Sequence, residues 1–326
     1  MTFIFFLLFV SCKKDKNEDH PNNPEHEVYV ADSINDRAAY WKNGVANYLD
    51  SSNSGYSYGF CVYATDNDVY VCGGKKGDNS VQHAIYWKNG VANYLNKDAA
   101  SSASSIIASG NDVYVTGSVV GSSGYEKAVY WKNGKSFYLS QDTSSTSDIA
   151  IFGNDVYITG SEIINGIHRA TLWKNGIATH LADSTVNSYA ASVSVSGNDI
   201  YIGGTEKINN KYVAVYWKNG VVNYTNEQFG VFGMYVSGSD VYLTGNDITG
   251  TNPSGTNFYW KNGITTQLPD FEEAVSIYVS GNDVYVAGLG YVRGPSNSGN
   301  YAILWKNGQS VYLTPGDSYS YSVFVK

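Results

Sequence analysis

The chain has 326 residues, of which 43% are apolar and only 15% are charged, so it can bury a large core behind a weakly charged surface. Its formal net charge is −8 and its isoelectric point is near 5.1. No basic stripe is present, which excludes nucleic acid and anionic membrane surfaces as expected partners.

The first residues are typical of an export signal. The apolar run from Phe3 to Val10 is too short to cross a bilayer but matches the core of a signal peptide. Ser11 followed by Cys12 resembles the lipobox of bacterial lipoproteins, although Phe9 stands where that motif usually has leucine. The resemblance implies a signal peptide over residues 1–12, cleavage before Cys12, and lipidation of its thiol.

The next segment, residues 13–26, has the composition of a solvated tether, with two prolines among Lys, Asp, Glu and Asn. An acidic and lysine-rich stretch after the lipid cysteine also resembles the surface-export signals of Bacteroidota lipoproteins. We therefore expect a protein anchored in the bacterial cell envelope, in the outer membrane, with its periplasmic or surface side left open. The folded domain is expected to span residues 27–326.

One four-residue word, Trp-Lys-Asn-Gly, occurs seven times in that domain. Its copies are 46, 44, 42, 44, 43 and 45 residues apart, a period typical of propellers, solenoids and arrays. The word begins at Trp41, Trp87, Trp131, Trp173, Trp217, Trp260 and Trp305.

Each repeat predicts four short strands, which we name A, B, C and D in chain order. In the last full copy, A is 276–280, B is 283–287, C is 302–305 and D ends at Leu313. The Asn-Gly pair of each word suits a type I′ hairpin between C and D, and Gly281-Asn282 predicts the same turn between A and B. The order resembles the blades of WD-type propellers, which implies that strand A is innermost.

The B strands also number seven, and their positions predict how the ring closes. They begin at Val28, Val69, Val113, Val156, Ile200, Val241 and Val284. The chain enters on a B strand and ends on an A strand, 322–325, that lacks its own B. The sequence therefore predicts an all-β, seven-bladed β-propeller with four antiparallel strands per blade, in which the C-terminal strand completes the N-terminal blade.

The C and D strands resemble the extracellular HAF repeats as well. The best copy runs from His83 to Gly90 and reads His-Ala-Ile-Tyr-Trp-Lys-Asn-Gly. This resemblance implies a secreted repeat protein and no defined activity.

Residues repeated in every copy are expected to build the scaffold. The seven tryptophans and seven B-strand tyrosines could form sugar platforms, but inter-blade packing is favoured, because each ring can bury more than ~150 Å². The lysine of each word should meet the acidic residue that precedes strand B, forming a charged rim. Those acids are Glu27, Asp68, Asp112, Asp155, Asp199, Asp240 and Asp283.

Two cysteines are expected to face each other across the A–B hairpin of the second copy. A turn centred on Asp66-Asn67 pairs Cys61 with Cys72, and export permits their oxidation. The pairing is of the hydrogen-bonded kind, in which a disulfide is strained, so the bridge is left open. No metal-ligand spacing is present, and neither a metal nor a cofactor is expected.

Binding is expected on the face that carries the long D-to-A and B-to-C connections, because those loops differ between copies. Arg37, His83, Lys127 and Arg169 each come just before strand C, and Arg293 and Tyr291 lie in the last B-to-C segment. They predict either a basic funnel for a carboxylated glycan, an acidic peptide or another anion, or simply solvated strand ends.

Catalysis is the weaker alternative. His168 and Arg169 form the best candidate pair, with Glu126, Tyr291 and Arg293 as further groups, but only an analogy of fold supports them. A lectin would repeat its ligand residues from blade to blade, whereas here the loops diverge. The sequence therefore favours a monomeric binding or scaffold module for one protein or glycan partner.

The lipidation site gives a direct test. Cys12→Ser is expected to move the protein from the membrane fraction and detergent phase to the soluble fraction, because the lipid-bearing thiol is lost. Phase partitioning and immunoblotting measure this. Cys61→Ser is the matched control and should stay in the membrane fraction, and a membrane-bound Cys12→Ser variant would contradict the lipobox assignment.

Overall fold

The structure is a computed structural model that describes residues 26–50, 55–77, 80–247, 257–292, 299–313 and 317–326. The proposed lipidation site and most of the tether lie outside these residues. Within them, no helix is long and apolar enough to cross a membrane.

The described strands form seven four-stranded sheets, each an antiparallel blade. Blade 1 contains β1 (Val28–Ile34), β2 (Arg37–Lys42), β3 (Val45–Tyr48) and β28 (Ser318–Val325). Blade 2 contains β4 (Ser57–Ala64), β5 (Val69–Lys76), β6 (Gln82–Lys88) and β7 (Val91–Tyr94). Blade 3 contains β8 (Ser101–Ser109), β9 (Asp112–Val120), β10 (Glu126–Lys132) and β11 (Lys135–Tyr138).

The other four blades repeat this order. Blade 4 contains β12 (Thr143–Phe152), β13 (Asp155–Ile164), β14 (Ile167–Lys174) and β15 (Ile177–His180). Blade 5 contains β16 (Ser188–Ser196), β17 (Asp199–Ile208), β18 (Lys211–Lys218) and β19 (Val221–Tyr224). Blade 6 contains β20 (Gly230–Ser237), β21 (Asp240–Asn246), β22 (Asn257–Lys261) and β23 (Ile264–Gln267). Blade 7 contains β24 (Glu273–Ser280), β25 (Asp283–Val292), β26 (Gly299–Lys306) and β27 (Gln309–Tyr312).

The seven-bladed propeller and its closure are confirmed. Strand β28 pairs antiparallel with β1, with Val325 opposite Val28, so the two ends of the chain share blade 1. The A, B and C strands of blade 7 are longer than predicted, because they extend toward the loop face beyond the last strongly patterned residue.

Aromatic packing joins each blade to the next, as expected for the repeated tryptophans and tyrosines. All seven tryptophans and all seven B-strand tyrosines are buried. In every inter-blade cluster, the tyrosine of one blade packs with the tryptophan of the following blade. The pairs are Tyr29 with Trp87, Tyr70 with Trp131, Tyr114 with Trp173, Tyr157 with Trp217, Tyr201 with Trp260, Tyr242 with Trp305 and Tyr285 with Trp41.

The other three letters of the word build the face that carries the tight turns. Each lysine lies 2.5–2.9 Å from the acid that precedes strand B, and 4.9–5.4 Å from the centre of the B-strand tyrosine ring. These lysines hold the pKa of the turn acids below the ordinary value. The predicted charged rim is therefore present in every blade.

The asparagine of the word has a role that the sequence did not predict. Its Oδ1 accepts a hydrogen bond from the first B-strand amide in all seven copies, at 2.8–3.0 Å. In six copies its Nδ2 also donates to the turn aspartate, at 2.7–2.8 Å. One side chain thus fastens the C–D turn to the A–B turn.

The two hairpins differ in turn type. Asn43 and Gly44, like the other copies of that pair, both have positive φ, which confirms type I′. Between A and B, Gly110 has a φ of 59° while Asn111 is not in the positive region, and the equivalent glycines behave alike. This is the pattern of type II′, so the type I′ prediction for the A–B hairpin is wrong.

Each A strand also contains a β-bulge at the same height, which the sequence analysis did not predict. The bulged residues are Phe60, Ser104, Ser147, Ala191, Phe232, Val275 and Tyr321. In six blades the B strand has glycine beside the bulge, where a Cβ would overlap an A-strand carbonyl oxygen. These glycines are Gly73, Gly117, Gly160, Gly204, Gly245 and Gly288.

Blade 1 has Asp32 at this position. Its carboxylate joins the first and last strands of the blade through hydrogen bonds, and we call this arrangement the clasp. Asp32 is fully buried. It accepts hydrogen bonds from Trp41 Nε1 at 2.6 Å, Ser318 Oγ at 2.8 Å and Tyr319 N at 2.9 Å. Burial nevertheless raises the pKa of Asp32. The unique carboxylate therefore links the N-terminal B strand to the C-terminal A strand.

The clasp predicts a large loss of stability in Asp32→Ala. Three donors, two of them in buried hydrogen bonds, would lose their acceptor, which should lower the free energy of unfolding by about 3 kcal/mol. Urea denaturation followed by tryptophan fluorescence measures this. Asp112→Ala, which removes an exposed turn carboxylate, should have a smaller effect, and equal midpoints for Asp32→Ala and the wild type would contradict the clasp.

Candidate functional site

A cavity of about 580 Å³ lies on the axis of the ring, and residues of all seven A strands line it. This confirms that the A strands are innermost. The bulged residues lie toward the loop face, because each A strand runs from a D-to-A loop to an A–B turn. The cavity thus begins at the face where the sequence predicts binding.

A polar belt circles the cavity one residue beyond the bulges. Its members in blades 1 to 5 are Ser322, Cys61, Ser105, Asp148 and Ser192. Ser105 Oγ donates to Asp148 Oδ1 at 2.9 Å, and Ser192 Oγ donates to Oδ2 at 2.7 Å. Cys61 Sγ lies 3.7 Å from Ser105 Oγ and 3.8 Å from Ser322 Oγ. The belt therefore connects five consecutive blades side by side.

Aromatic rings form an arc on the cavity wall nearer the tight turns. Tyr235 lies 4.5 Å from Tyr278, Tyr278 lies 5.3 Å from Phe324, and Phe324 lies 4.9 Å from Tyr63, measured between ring centroids. Burial raises the pKa of Tyr278, so its phenol stays protonated at neutral pH. This aromatic arc spans blades 6, 7, 1 and 2.

The loop-side mouth is aromatic on one side. Phe60 and Tyr321 stack with their centroids 5.0 Å apart. Together with Tyr56 and Tyr58 they line a second depression of about 260 Å³, and blade 3 forms the rest of its wall. Burial raises the pKa of Tyr58 to about 12. We call these four residues the mouth cluster.

The predicted ligand residues lie elsewhere. Arg37, His83, Lys127, His168, Arg169 and Tyr291 belong to B and C strands, and none of them lines the axial cavity. Arg293 falls outside the described residues. The described basic residues are therefore not part of the cavity lining, and the basic funnel on the loop face stays a prediction.

Several of these side chains have local contacts. The Arg37 guanidinium donates from Nε and Nη2 to the Asp50 carbonyl oxygen, at 2.9 and 2.7 Å, and lies over the Tyr48 ring. Lys127 Nζ lies 3.5 Å from Gln141 Oε1. His83 is buried, while Tyr291 is exposed.

His168 and Arg169 do not form a pair. Successive residues of a strand point to opposite faces of the sheet, and His168 packs against Tyr189 of blade 5. Arg169 is opposite Glu162, whose Oε2 lies 2.8 Å from His180 Nε2. The two side chains of the proposed catalytic pair therefore lie on opposite faces of the blade.

The cysteines face each other as predicted, with Cys61 paired to Cys72 in the register. Both are free thiols in the structure. Burial raises the pKa of Cys72, which keeps that thiol protonated. The structure does not test whether export oxidises them, which the sequence left open. Among the described residues, no group of three or more His, Cys, Asp and Glu side chains could hold a metal ion.

Sequence reasoning missed Asp148 and the aromatic lining of the cavity. The available signal was the departure of single copies from the repeat. Asp148 stands where the other A strands have Cys61, Ser105, Ser192, Gly233, Ser276 and Ser322.

Comparison with known proteins supports the fold alone. No family model and no curated protein matches the chain. The acylaminoacyl peptidase of Pyrococcus horikoshii is similar in structure, with a TM-score of 0.53 and 14% identity over 89% of this chain and 50% of that one. A puromycin-hydrolyzing peptidase of Mycobacterium tuberculosis has a TM-score of 0.57 and 9% identity over 86% and 50%.

A third similar structure is itself a propeller. The β-propeller domain of the Trilobed protease from Pyrococcus furiosus has a TM-score of 0.52 and 12% identity, covering 89% of this chain and 94% of that domain. That domain has an open velcro topology, whereas β28 closes the ring here. This chain spans about half the length of the two peptidases, and at these identities the likeness shows a propeller fold.

Proposed function

We propose that this chain is a lipid-anchored binding module of the bacterial cell envelope, whose ligand enters the axial cavity through the loop-side mouth. The observation that carries this proposal is the cavity itself, which is of the size typical of ligand sites and has aromatic side chains at its entrance. Aromatic rings with a hydroxyl tip suit both sugars and polar peptides.

The two faces of the propeller support a division of roles. The tight-turn face repeats the same lysine, acid and asparagine contacts in every blade, which is what a scaffold needs. At the mouth, in contrast, the seven bulged residues differ in size and polarity, from alanine and serine to phenylalanine and tyrosine. A mouth with unlike side chains favours one asymmetric ligand over seven equivalent sugar sites, so a single-site binder fits better than a multivalent lectin.

The anchor would present the mouth to the ligand. Glu27 belongs to the charged rim of the tight-turn face, where it meets Lys42. The tether therefore reaches the folded domain on that face. Fourteen residues of the solvated composition expected for 13–26 would span roughly 20 Å. A lipid on Cys12 would then hold the tight-turn face toward the membrane and leave the mouth turned away.

Catalysis is less well supported. The described lining of the cavity offers one carboxylate, and it contains no histidine, lysine, arginine or glutamate. Its other titratable groups are the Cys61 thiol and tyrosine phenols, and no described hydrogen bond joins any of them to Asp148 as an acid–base pair would require. The peptidases of similar structure are about twice as long as this chain, so their activities do not transfer to the propeller.

Substitution in the mouth cluster tests the proposal. The full chain is screened on a glycan array and a peptide library, and each hit is titrated by calorimetry. Tyr321→Ala and Tyr56→Ala are expected to weaken the hit about tenfold, as for loss of an aromatic anchor. Tyr138→Ala, at an exposed tyrosine on the outer edge of blade 3, is the matched control.

The stoichiometry separates the alternatives. One ligand per chain supports a single mouth site, whereas seven per chain would support the lectin. Hits that bind the two mouth variants as tightly as the wild type, in variants with unchanged melting curves, would overturn the proposal.

A further inference from the structure

The described lining of the axial cavity carries negative charge and no positive charge. Among the described residues that line it, Asp148 is the only one with a charged side chain. No ion pair joins Asp148 to any residue that the structure describes. The other members of the polar belt are serine hydroxyls and one thiol. The cavity therefore has a negative charge, and its described lining has no positive charge to balance it.

The protein fixes this carboxylate firmly. Besides the two serine hydroxyls, Ile149 N donates to Oδ1 at 2.8 Å and Val193 N donates to Oδ2 at 3.0 Å. Four donors from three blades thus hold the group. The group is half-buried, which leaves part of it open to the cavity.

Aromatic rings lie on both sides of the level of Asp148. The bulged residues Phe60, Phe232 and Tyr321 are one residue nearer the loop face, and the aromatic arc is two residues nearer the tight turns. At about 3.3 Å per residue, these levels lie roughly 3 Å above and 7 Å below the carboxylate. Blade 4, which carries Asp148, is across the ring from blades 7 and 1, which carry Tyr278 and Phe324.

This combination has a specific chemical preference. The faces of aromatic rings are electronegative and attract ammonium groups, and recognition of quaternary ammonium compounds commonly uses several such rings. A carboxylate adds a full negative charge. An anionic ligand, in contrast, would meet repulsion and find no cation among the described lining residues.

We propose that the axial cavity binds an organic cation with an ammonium head group, held between Asp148 and the aromatic arc. The proposal rests on the proposed function, in that it assigns the ligand class of the same cavity. It also gives separate roles to two parts of the site: the mouth cluster on the loop face admits the ligand, and the belt inside the cavity selects its charge.

A pair of probes of equal shape tests the charge directly. Choline and its uncharged isostere 3,3-dimethylbutan-1-ol are titrated into the full wild-type chain by calorimetry, and tetramethylammonium serves as a second cation. Choline is expected to bind once per chain and at least tenfold more tightly than the isostere. Because both probes fill the same volume, the difference reports the charge alone.

Substitutions locate the site. Asp148→Asn keeps the size of the side chain but removes the charge, and is expected to weaken choline binding at least tenfold. Tyr278→Leu should weaken it as well, whereas Tyr278→Phe, which keeps the ring, should bind nearly as the wild type. Asp112→Asn, at the exposed turn of blade 3, is the control for loss of a carboxylate elsewhere.

The possible outcomes are decisive. Equal affinities for choline and the isostere, or no binding of either ammonium probe to the wild type, would overturn the proposal. So would choline binding that survives both Asp148→Asn and Tyr278→Leu. If array hits still depend on the mouth cluster while choline fails, the proposed function stands and only the cation is wrong. Should choline bind while no array hit depends on the mouth, the cavity is the site and the entry route is wrong.

Discussion

The whole ring depends on one kind of packing. The tryptophan of each blade and the B-strand tyrosine of the blade before it are buried in the same inter-blade core. An antiparallel blade of this kind has no core of its own and becomes buried only against its neighbours. Each tryptophan removes about 200 Å² from water, worth up to about 5 kcal/mol. Seven such contacts form a closed circle only if the last blade meets the first, as Trp41 meets Tyr285.

Closure puts a special demand on blade 1, because its A strand comes from the other end of the chain. In the other blades a tight hairpin joins A to B, and a glycine allows the bulged strand to approach closely. Blade 1 has no such hairpin, and Asp32 replaces the glycine with three hydrogen bonds, two of them from β28. The carboxylate also satisfies Trp41 Nε1, whereas Trp131 and Trp173 have no partner for that atom.

The repeat made the fold predictable, since a strong local pattern occurs seven times and each copy checks the others. The blade count, the ion pairs and the Cys61–Cys72 register all follow from residues within one repeat, whereas the innermost strand was implied by the resemblance to WD-type blades. The site was harder to predict. The register of the A strand changes at each bulge, so Phe60 and Cys61 both reach the cavity, and simple alternation does not anticipate this. The same alternation, where it does hold, separates His168 from Arg169, which adjacency in sequence had paired.

Departures from the repeat therefore carry more functional information than the repeat itself. Asp148 occupies a belt position that in most blades holds serine or cysteine, and its carboxylate does what those hydroxyls do, joining its blade to both neighbours. Four other blades have serine at this position, and Ser105 and Ser322 contact neighbouring blades there through a neutral hydroxyl. What the carboxylate adds beyond those hydrogen bonds is a negative charge on the blade 4 wall of the axial cavity, across the ring from the aromatic arc, and no other blade has a carboxylate at the belt position.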